Sequence, residues 1–506
     1  MNLGLLLEMA VDGGGDRVLV GPKTGGLTAG RLQARARYAA AMFNRRGAKH
    51  VALLDVNSEA VPIALFGAAI AGLPFAPVNY RLADDQLGEI LRRLVPAAIV
   101  AGPDAVPRIH DRDGIAIIDR DLLCRAAEAH DAATPPPGSD ADPDSVAVML
   151  FTSGTTGPAK AALLRHRHLV SYVIGAVEFM GADEDEAQLV SVPPYHIAGV
   201  STILTSIYGG RRIVYLPTFD ADSWVDVAVT ERISHAMVVP TMLGRILDVI
   251  EARDVRLPSL AHLSYGGGRM PSELIERAMD RLPHVDFVNA YGLTETSSTV
   301  AVLGPEQHRA AFASEDRSVR ARLRSVGNPL PTIEVEIRGA DGAVLPAGAR
   351  GEVYVRGEQV AGEYLGRSLL TEDGWFPTND AGYFDEDGFL YLDGRLDDVI
   401  VRGAENLSPG EIEDVLVEHV GVAAACVVGV PDARWGESLA AAVVRVAGAE
   451  ASEDELRDWV RARLRSAKAP EIIEFRDELP YNETGKLLRR VLRDELAQVR
   501  AERQKP

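Results

Sequence analysis

The sequence predicts an α/β protein of several compact units, on three observations. Short apolar runs alternate with helical patterns between about residues 50 and 101, and the same alternation returns between residues 188 and 288. Between Val335 and Leu392 the chain changes to short strands with turn signals, and a further α/β series begins beyond Gly394. Strands alternating with helices are βαβ units, which build parallel sheets covered by helices. At 506 residues, a prior of roughly 100–200 residues per domain gives about three or four compact units and room for an enclosed site.

The first series reads as a strand from His50 to Val56, a helix over 58–72, a strand from Phe75 to Val78, a helix over 83–95 and a strand from Ala97 to Ala101. The uncharged run from Ala60 to Tyr80 is long enough to suggest a membrane span. Pro62, Gly67, Gly72, Pro74 and Pro77 interrupt it, so a buried helix leading into a short strand is expected. Thr134 to Ser145 is a connector rich in Pro and Asp, and the apolar strand Val146 to Phe151 follows it. The second series places strands at Gln188 to Val192, Arg212 to Leu216, His235 to Val239, His262 to Tyr265 and Val285 to Val288. In the last series strands are expected near Ala424 to Val430 and Ala440 to Val446. A helix then starts at the capping box Ser452 to Glu455.

Composition excludes several classes of function. With 47% apolar and 25% charged residues the chain has the balance of a folded soluble protein. A net charge of −20 repels polyanions at long range, so nucleic acid and anionic lipid are not expected partners. The two cysteines, Cys124 and Cys426, lack metal-ligand spacing and indicate a reducing compartment. The first ten residues carry Glu8 and no positive charge, unlike a secretory signal, so the expected location is the cytoplasm.

Four segments could carry chemistry. Phe151-Thr-Ser-Gly-Thr-Thr-Gly-Pro-Ala-Lys160 leaves a buried strand as a loop rich in hydroxyls and glycines and ends on a lysine. Such a loop can wrap phosphates with N–H groups, hydroxyls and one positive charge. It is not a Walker A loop, because Lys160 lies between Ala159 and Ala161. In Asn289-Ala-Tyr-Gly-Leu-Thr-Glu295 the tyrosine can stack on a purine, the threonine can reach a phosphate and the carboxylate can hold Mg²⁺. The third segment runs from Asp380 through Gly394-Arg-Leu-Asp-Asp398 to Glu413, and the fourth is Asn482-Glu-Thr-Gly-Lys486. Each taken alone also fits an ordinary turn or strand end.

Together, in this order and at these separations, the four segments resemble the acyl-adenylate-forming superfamily: acyl- and aryl-CoA synthetases, firefly luciferase and the adenylation domains of peptide synthetases. The chain most resembles the acyl-CoA synthetase branch, through Arg395-Leu-Asp-Asp398 and Pro431-Asp-Ala-Arg-Trp-Gly-Glu437. The resemblance implies a large N-terminal domain, residues 1–394, of two βα-layered subdomains plus a small β-barrel. It also implies a mobile, smaller α/β C-terminal lid, residues 395–506, with a hinge near Asp397. It implies that Thr152, Ser153, Gly154, Thr155, Thr156, Gly157 and Lys160 enclose the ATP phosphates, with Thr155 and Glu295 at Mg²⁺. Tyr291 would pack on adenine beside Gly267, Asn289 and Gly292, Thr294 would bind phosphate, and Asp380 with Arg395 would grip the ribose. Lys486 would stabilise the reacting carboxylate and α-phosphate. Gly403 would border the tunnel for coenzyme A and Trp435 would sit in the loop that contacts it. Tyr195, His196, Met242, Gly268, Ala290 and Thr299 would border the acid, with His196 between pocket and tunnel; Ser264 to Gly268 would form the wall beside the adenine.

The reaction explains these residue types. A carboxylate must attack an anionic phosphate, so neutralisation by Mg²⁺ and lysines is the main tool. Water would destroy the mixed anhydride, which calls for a closing lid. Three departures from the family pattern stand out: Gly157-Pro-Ala-Lys-Ala161 for Gly-Xaa-Pro-Lys-Gly, Asn379 for a glycine, and Ala404 for a second tunnel glycine. They leave open an enzyme that mainly transfers a preformed acyl-AMP supplied by a separate adenylating partner. Transfer to an acyl carrier protein, a nucleotide sensor without turnover and a homodimer also stay open. Arg165-His-Arg-His168 is expected to be a solvated helix start and Asp183 to Glu186 a solvated turn, because a His spacing of two suits neither a helix face nor a zinc site.

Overall fold

The N-terminal helix Leu3–Gly14 buries Leu3, Leu6, Leu7 and Ala10 and is capped by Asn2, whose Oδ1 accepts from the Leu5 amide at 3.2 Å. It belongs to the first of two units into which the chain divides, Met1–Glu334 with Val355–Phe376; Val335–Tyr354 with Pro377–Pro506 form the second. The expected boundary between residues 394 and 395 falls inside that second unit. The molecule is a computed structural model that describes residues 1–126, 141–152, 159–403, 405–446, 448–481 and 487–503. Most of the connector from Thr134 to Ser145 lies outside the described residues.

Two sheets form the first unit. One runs in the order Arg367–Ser368, Glu363–Tyr364, Lys160–Arg165, Val146–Thr152, Phe75–Pro77, His50–Leu54, Ala97–Ala101, Ile115–Asp119. The other runs Asn328–Pro329, Ser298–Leu303, Asp286–Leu293, His262–Gly266, His235–Val238, Ala187–Val190, Arg212–Tyr215, Val18–Val20, Leu27–Thr28. The strands from Ala187 to Leu293 are mutually parallel, as alternation with helices requires. The fold is therefore α/β, as the sequence predicts. Ser298–Leu303 and Asn328–Pro329 extend that sheet in antiparallel fashion.

The apolar run that could suggest a membrane span is the helix Ala60–Ala71, buried throughout from Ala60 to Ala69, followed by the strand Phe75–Pro77. Pro62 is tolerated because it lies in the first turn, where no intrahelical N–H bond is lost. Gly67 allows a close crossing with the helix Ala29–Arg45: a Cβ at Gly67 would stand 2.8 Å from the Ala39 Cβ. Among the described residues no helix is long and apolar enough to cross a membrane.

The second unit holds two sheets. Glu334–Arg338, Gly351–Arg356, Phe376–Phe384 and Leu390–Arg395 form a four-stranded sheet where the sequence predicts a small β unit. Glu405–Leu407, Ile400–Arg402, Gly436–Arg445 and Val422–Asp432 form the other, with Ile472–Arg476 parallel to Gly436–Arg445. The helix Glu453–Arg463 begins at the expected capping box: Ser452 Oγ accepts from the Glu455 amide, and Glu455 Oε2 accepts in return from the Ser452 amide.

One surface expectation is overturned. A helix does start at His166, but His166 and His168 are 1% and 3% exposed and not solvated. His166 Nδ1 accepts from the Leu3 amide at 3.2 Å, tying the N-terminal helix to this one, and burial lowers both imidazoles to about 4. The sequence shows polar side chains at a helix start, and the N-terminal helix bonded to His166 is out of its local view. By contrast, Asp183, Glu184 and Asp185 are exposed.

His308 is the clearest neutral core histidine. Its Nδ1 meets the Gly304 carbonyl at 2.9 Å and must donate to it, so Nε2 accepts from the buried Tyr265 hydroxyl at 2.8 Å. Burial lowers its pKa to about 4. A folded pKa below the unfolded value of about 6.5 means that the unfolded chain binds more protons between these limits. Stability from His166, His168 and His308 is therefore fully present above about pH 6.5 and is lost as pH falls towards 4. The thermal midpoint should fall steeply over that window, and His308→Asn should lower stability at pH 7 while flattening the profile. Melting curves from pH 8 to 4.5 measure both effects.

Candidate active site

In the first unit the candidate residues lie at the C-terminal ends of the parallel strands, where crevices form in α/β sheets. His196 follows Ala187–Val190, Met242 follows His235–Val238, and Gly267 and Gly268 follow His262–Gly266. The strand Asp286–Leu293 is longer than the sequence predicts and carries Asn289 to Leu293 within itself. It does so because Ser298–Leu303 returns beside it, pairing Tyr291 with Ala301 and Gly292 with Thr299. A bulge between Tyr291 and Gly292 brings the backbones so close that a Cβ on Gly292 would stand 1.8 Å from the Ser298 carbonyl oxygen.

The turn Thr294–Thr296 follows, and Ser297 and Ser298 both have positive φ, 57° and 120°. Non-glycine residues in this region are strained and persist only when neighbours over-determine them. Here the Thr296 hydroxyl accepts from the Leu293 amide at 2.9 Å and donates to the Ser298 carbonyl at 2.7 Å. The Gln359 amide donates to the Thr296 and Thr299 carbonyls at 3.1 and 2.8 Å.

Glu295 is gripped from a distant segment. The amides of Ala361 and Gly362 donate to its carbonyl at 2.8 and 3.0 Å, and the Tyr364 hydroxyl donates to its Oε1. Tyr364 pairs with Ala162 on Lys160–Arg165, and Lys160 Nζ lies 6.0 Å from the Tyr364 ring centroid. Thr152 stands opposite Lys160 across the hairpin and donates to its carbonyl at 3.4 Å. Thr152, Lys160 and Glu295 are thus brought together. Ser153, Gly154, Thr155, Thr156, Gly157 and Lys486 lie outside the described residues, as does Ala404.

The expected pocket residues follow the same edge. Tyr195 and His196 have ring centroids 4.7 Å apart, and Tyr80 meets Tyr195 edge-on at 5.7 Å. His196 Nε2 is shielded from solvent and has no partner among the described residues, and burial lowers its pKa to about 4, so the ring is neutral. Met242 is buried on Pro240–Ala252, and a Cβ on Gly268 would stand 3.8 Å from Pro240 Cδ. Ala290 pairs with Gly266. Asn289 is turned to structure: its amide donates to the Ser325 carbonyl at 3.0 Å.

In the second unit Asp380 is buried and pairs across the sheet with Arg395, whose guanidinium donates to it at 3.0 Å. Asn379 has φ 60° and its amide donates to Asp397 Oδ2 at 2.9 Å. Gly403 has φ 65°, donates to the Trp435 carbonyl at 2.7 Å, and could place a Cβ no farther than 3.3 Å from the indole. Trp435 is 39% exposed between Arg402 and Arg434, whose guanidinium carbons lie 5.5 and 4.7 Å from its ring centroid. Arg402 is also paired with Glu471 at 2.7 Å, so the half-exposed indole and the exposed Arg434 are the groups that could meet a nucleotide, by stacking and by charge to phosphate.

The family model described as AMP-binding enzyme matches residues 7–365, and that described as AMP-binding enzyme C-terminal domain matches residues 411–486. The chain belongs to the AMP-binding enzyme family. The feruloyl-CoA synthase of an Amycolatopsis species is 33% identical over 88% of this chain and 88% of that protein. The fatty acid–[acyl-carrier-protein] ligase ScoC of Streptomyces coeruleorubidus is 34% identical over 88% of this chain and 86% of that protein. ATP-bound MatB from Rhodopseudomonas palustris superposes with a TM-score of 0.85 at 26% identity, covering 99% of this chain and 100% of that one. The protein is an ATP-dependent acid–thiol ligase of the acyl-CoA synthetase branch.

The structure explains how the ligase accommodates two departures from the family pattern. Ala161 is a buried strand residue paired with Phe151, and its carbonyl accepts from the Leu365 amide at 2.9 Å. Asn379 stands where the pattern has glycine and holds the left-handed conformation that asparagine tolerates best after glycine. Tyr364, Gln359, Arg402 and Arg434 escape the sequence reading; only the aromatic residue after Gly362-Glu363 and the arginines bracketing Gly403 and Trp435 could have marked them. Asn379→Gly should therefore keep the fold, whereas Asn379→Val should cost about 1–3 kcal/mol. Urea denaturation of the two variants compares them.

Proposed function

We propose that this ligase converts a monocarboxylic acid with an apolar body to its CoA thioester in two steps. The acid's oxygen attacks the α-phosphorus of ATP as the bond to pyrophosphate breaks. The thiolate of coenzyme A then attacks the acyl carbon as the bond to AMP breaks. The observation that carries the reading is the assembly of Thr152, Lys160 and Glu295 at the mouth of the phosphate loop. The site needs positive charge against the phosphates, and Lys160 supplies it; Lys486 would add a second charge at the reacting oxygens.

Glu295 fits Mg²⁺, because its Oε1 is taken by Tyr364 while Oε2 has no hydrogen-bond partner among the described residues. Thr155 would be the second protein group at the ion. Bound there, Mg²⁺ would neutralise phosphate charge. Thr294 would hold phosphate, Tyr291 the adenine, and Asp380 with Arg395 the ribose. Asp397 would be the hinge between residues 1–394 and a lid of residues 395–506. Neutral His196 can sit beside an apolar acyl group without burying a charge. Tyr195, Met242, Gly268, Ala290 and Thr299 carry no charge, which supports an acid with a single carboxylate.

Coenzyme A as acceptor is supported by the Arg402–Trp435–Arg434 face beside Gly403. The likeness to a fatty acid–[acyl-carrier-protein] ligase supports a second reading, in which the pantetheine thiol belongs to a carrier protein.

Pyrophosphate release should follow ATP and acid without any thiol, and Lys486→Ala should lower it by about 100-fold or more. An enzyme that forms thioester from synthetic acyl-AMP but releases no pyrophosphate would overturn the adenylation step. Across a panel of aryl, alkyl and dicarboxylic acids, the monocarboxylic apolar acids should give the highest kcat/KM, and a preferred dicarboxylate would refute the pocket reading. Trp435→Ala should raise the KM for coenzyme A; faster turnover with a pantetheinylated carrier, unaffected by that substitution, would decide for the carrier.

A further inference from the structure

Tyr364 belongs to none of the four motifs, yet it is the residue at which two of them meet. Its own position is fixed three times over. It pairs with Ala162 on one side and Arg367 on the other. The preceding Glu363 makes a two-pronged bridge to Arg165, at 2.8 and 2.9 Å. The amides of Ala361 and Gly362 both end on the Glu295 carbonyl. A side chain presented by so constrained a backbone cannot wander far, and its hydroxyl donates to one carboxylate oxygen of Glu295.

A carboxylate on a short turn has two rotatable bonds of its own, and an ion that depends on it gains from a partner that fixes the plane of the group. We infer that Tyr364 is a positioning residue for the divalent cation: by holding Oε1 of Glu295 it aims Oε2 at the metal. Its ring under Lys160 ties that aim to the end of the phosphate loop. Tyr364 touches neither nucleotide nor metal in this scheme and acts through Glu295. The inference rests on the reading of Glu295 as the metal ligand.

Tyr364→Phe isolates the hydroxyl, because the ring, its place beside Lys160 and the strand pairing are all retained. The affinity of the full-length protein for α,β-methylene ATP, a nucleotide it cannot adenylate with, is measured by calorimetry with Mg²⁺ and again in EDTA. The ratio of the two affinities is the contribution of the metal, and it needs no turnover. Tyr364→Phe should lower that ratio by about tenfold and leave the affinity in EDTA unchanged.

Glu295→Gln should abolish most of the ratio, and adding Tyr364→Phe to Glu295→Gln should cause no further loss, since the phenol works through the carboxylate. An unchanged ratio in Tyr364→Phe overturns the inference, as does an equal loss in EDTA, or a further loss in the double variant. If Glu295→Gln itself leaves the ratio intact, the metal-ligand reading of Glu295 fails first, and the two failures are told apart.

Discussion

The first unit depends on the grip that residues 361 to 364 take on Glu295. The turn Thr294–Thr296 emerges from one sheet, and the strand Glu363–Tyr364 belongs to the other. Two amides on one carbonyl and a phenol on one carboxylate join them. Without that segment the Glu295 carbonyl would lose both donors in a partly buried position. The positive φ of Ser297 and Ser298 would also lose part of the surroundings that hold it, since Gln359 of the same segment fastens the carbonyls on either side. The phosphate-loop hairpin and the turn with Glu295 therefore cannot shift independently.

Charge is handled locally in this chain. Its net charge of −20 opposes anionic ligands at long range, yet Lys160 and Arg434 are exposed and each placed against an aromatic ring. A ring face holds a cation in place without neutralising it, whereas an acidic partner would cancel the charge. Arg395 follows the other strategy: its partner Asp380 is buried, and the pair presents both a donor and an acceptor. Burial lowers the imidazoles of His166, His168, His196 and His308, and the shielded Nε2 of His196 has no hydrogen-bond partner among the described residues.

The two accommodated departures from the family pattern show why a substitution is read against its backbone. Ala161 adds a methyl to a strand whose neighbour faces it squarely, and the methyl joins the core. Asn379 replaces a glycine at a left-handed position and gains an amide that reaches Asp397. In both places the conformation is the property that matters, and the new side chain meets it.

Much of the fold is legible in the sequence because it is written in short periods. Val146 to Phe151, Ala97 to Ala101 and the helix with its capping box at Ser452 fall where apolar runs and cap residues put them. Thr152, Lys160 and Glu295 stand out as candidates in the sequence by residue types that suit phosphate and Mg²⁺, and Asp380 and Arg395 only through the family resemblance. The sequence cannot tell that His166 is buried, because the helix bonded to it lies more than 150 residues earlier in the chain. Nor can it extend the strand to Leu293, show that Asn289 serves Ser325, or single out Tyr364, which meets Glu295 across 69 residues of chain. Local periodicity and motif chemistry determine the elements and the reactive residue types. Which residue fixes another across the gap between two sheets is decided only when tertiary packing brings a donor and an acceptor into the same partly buried place.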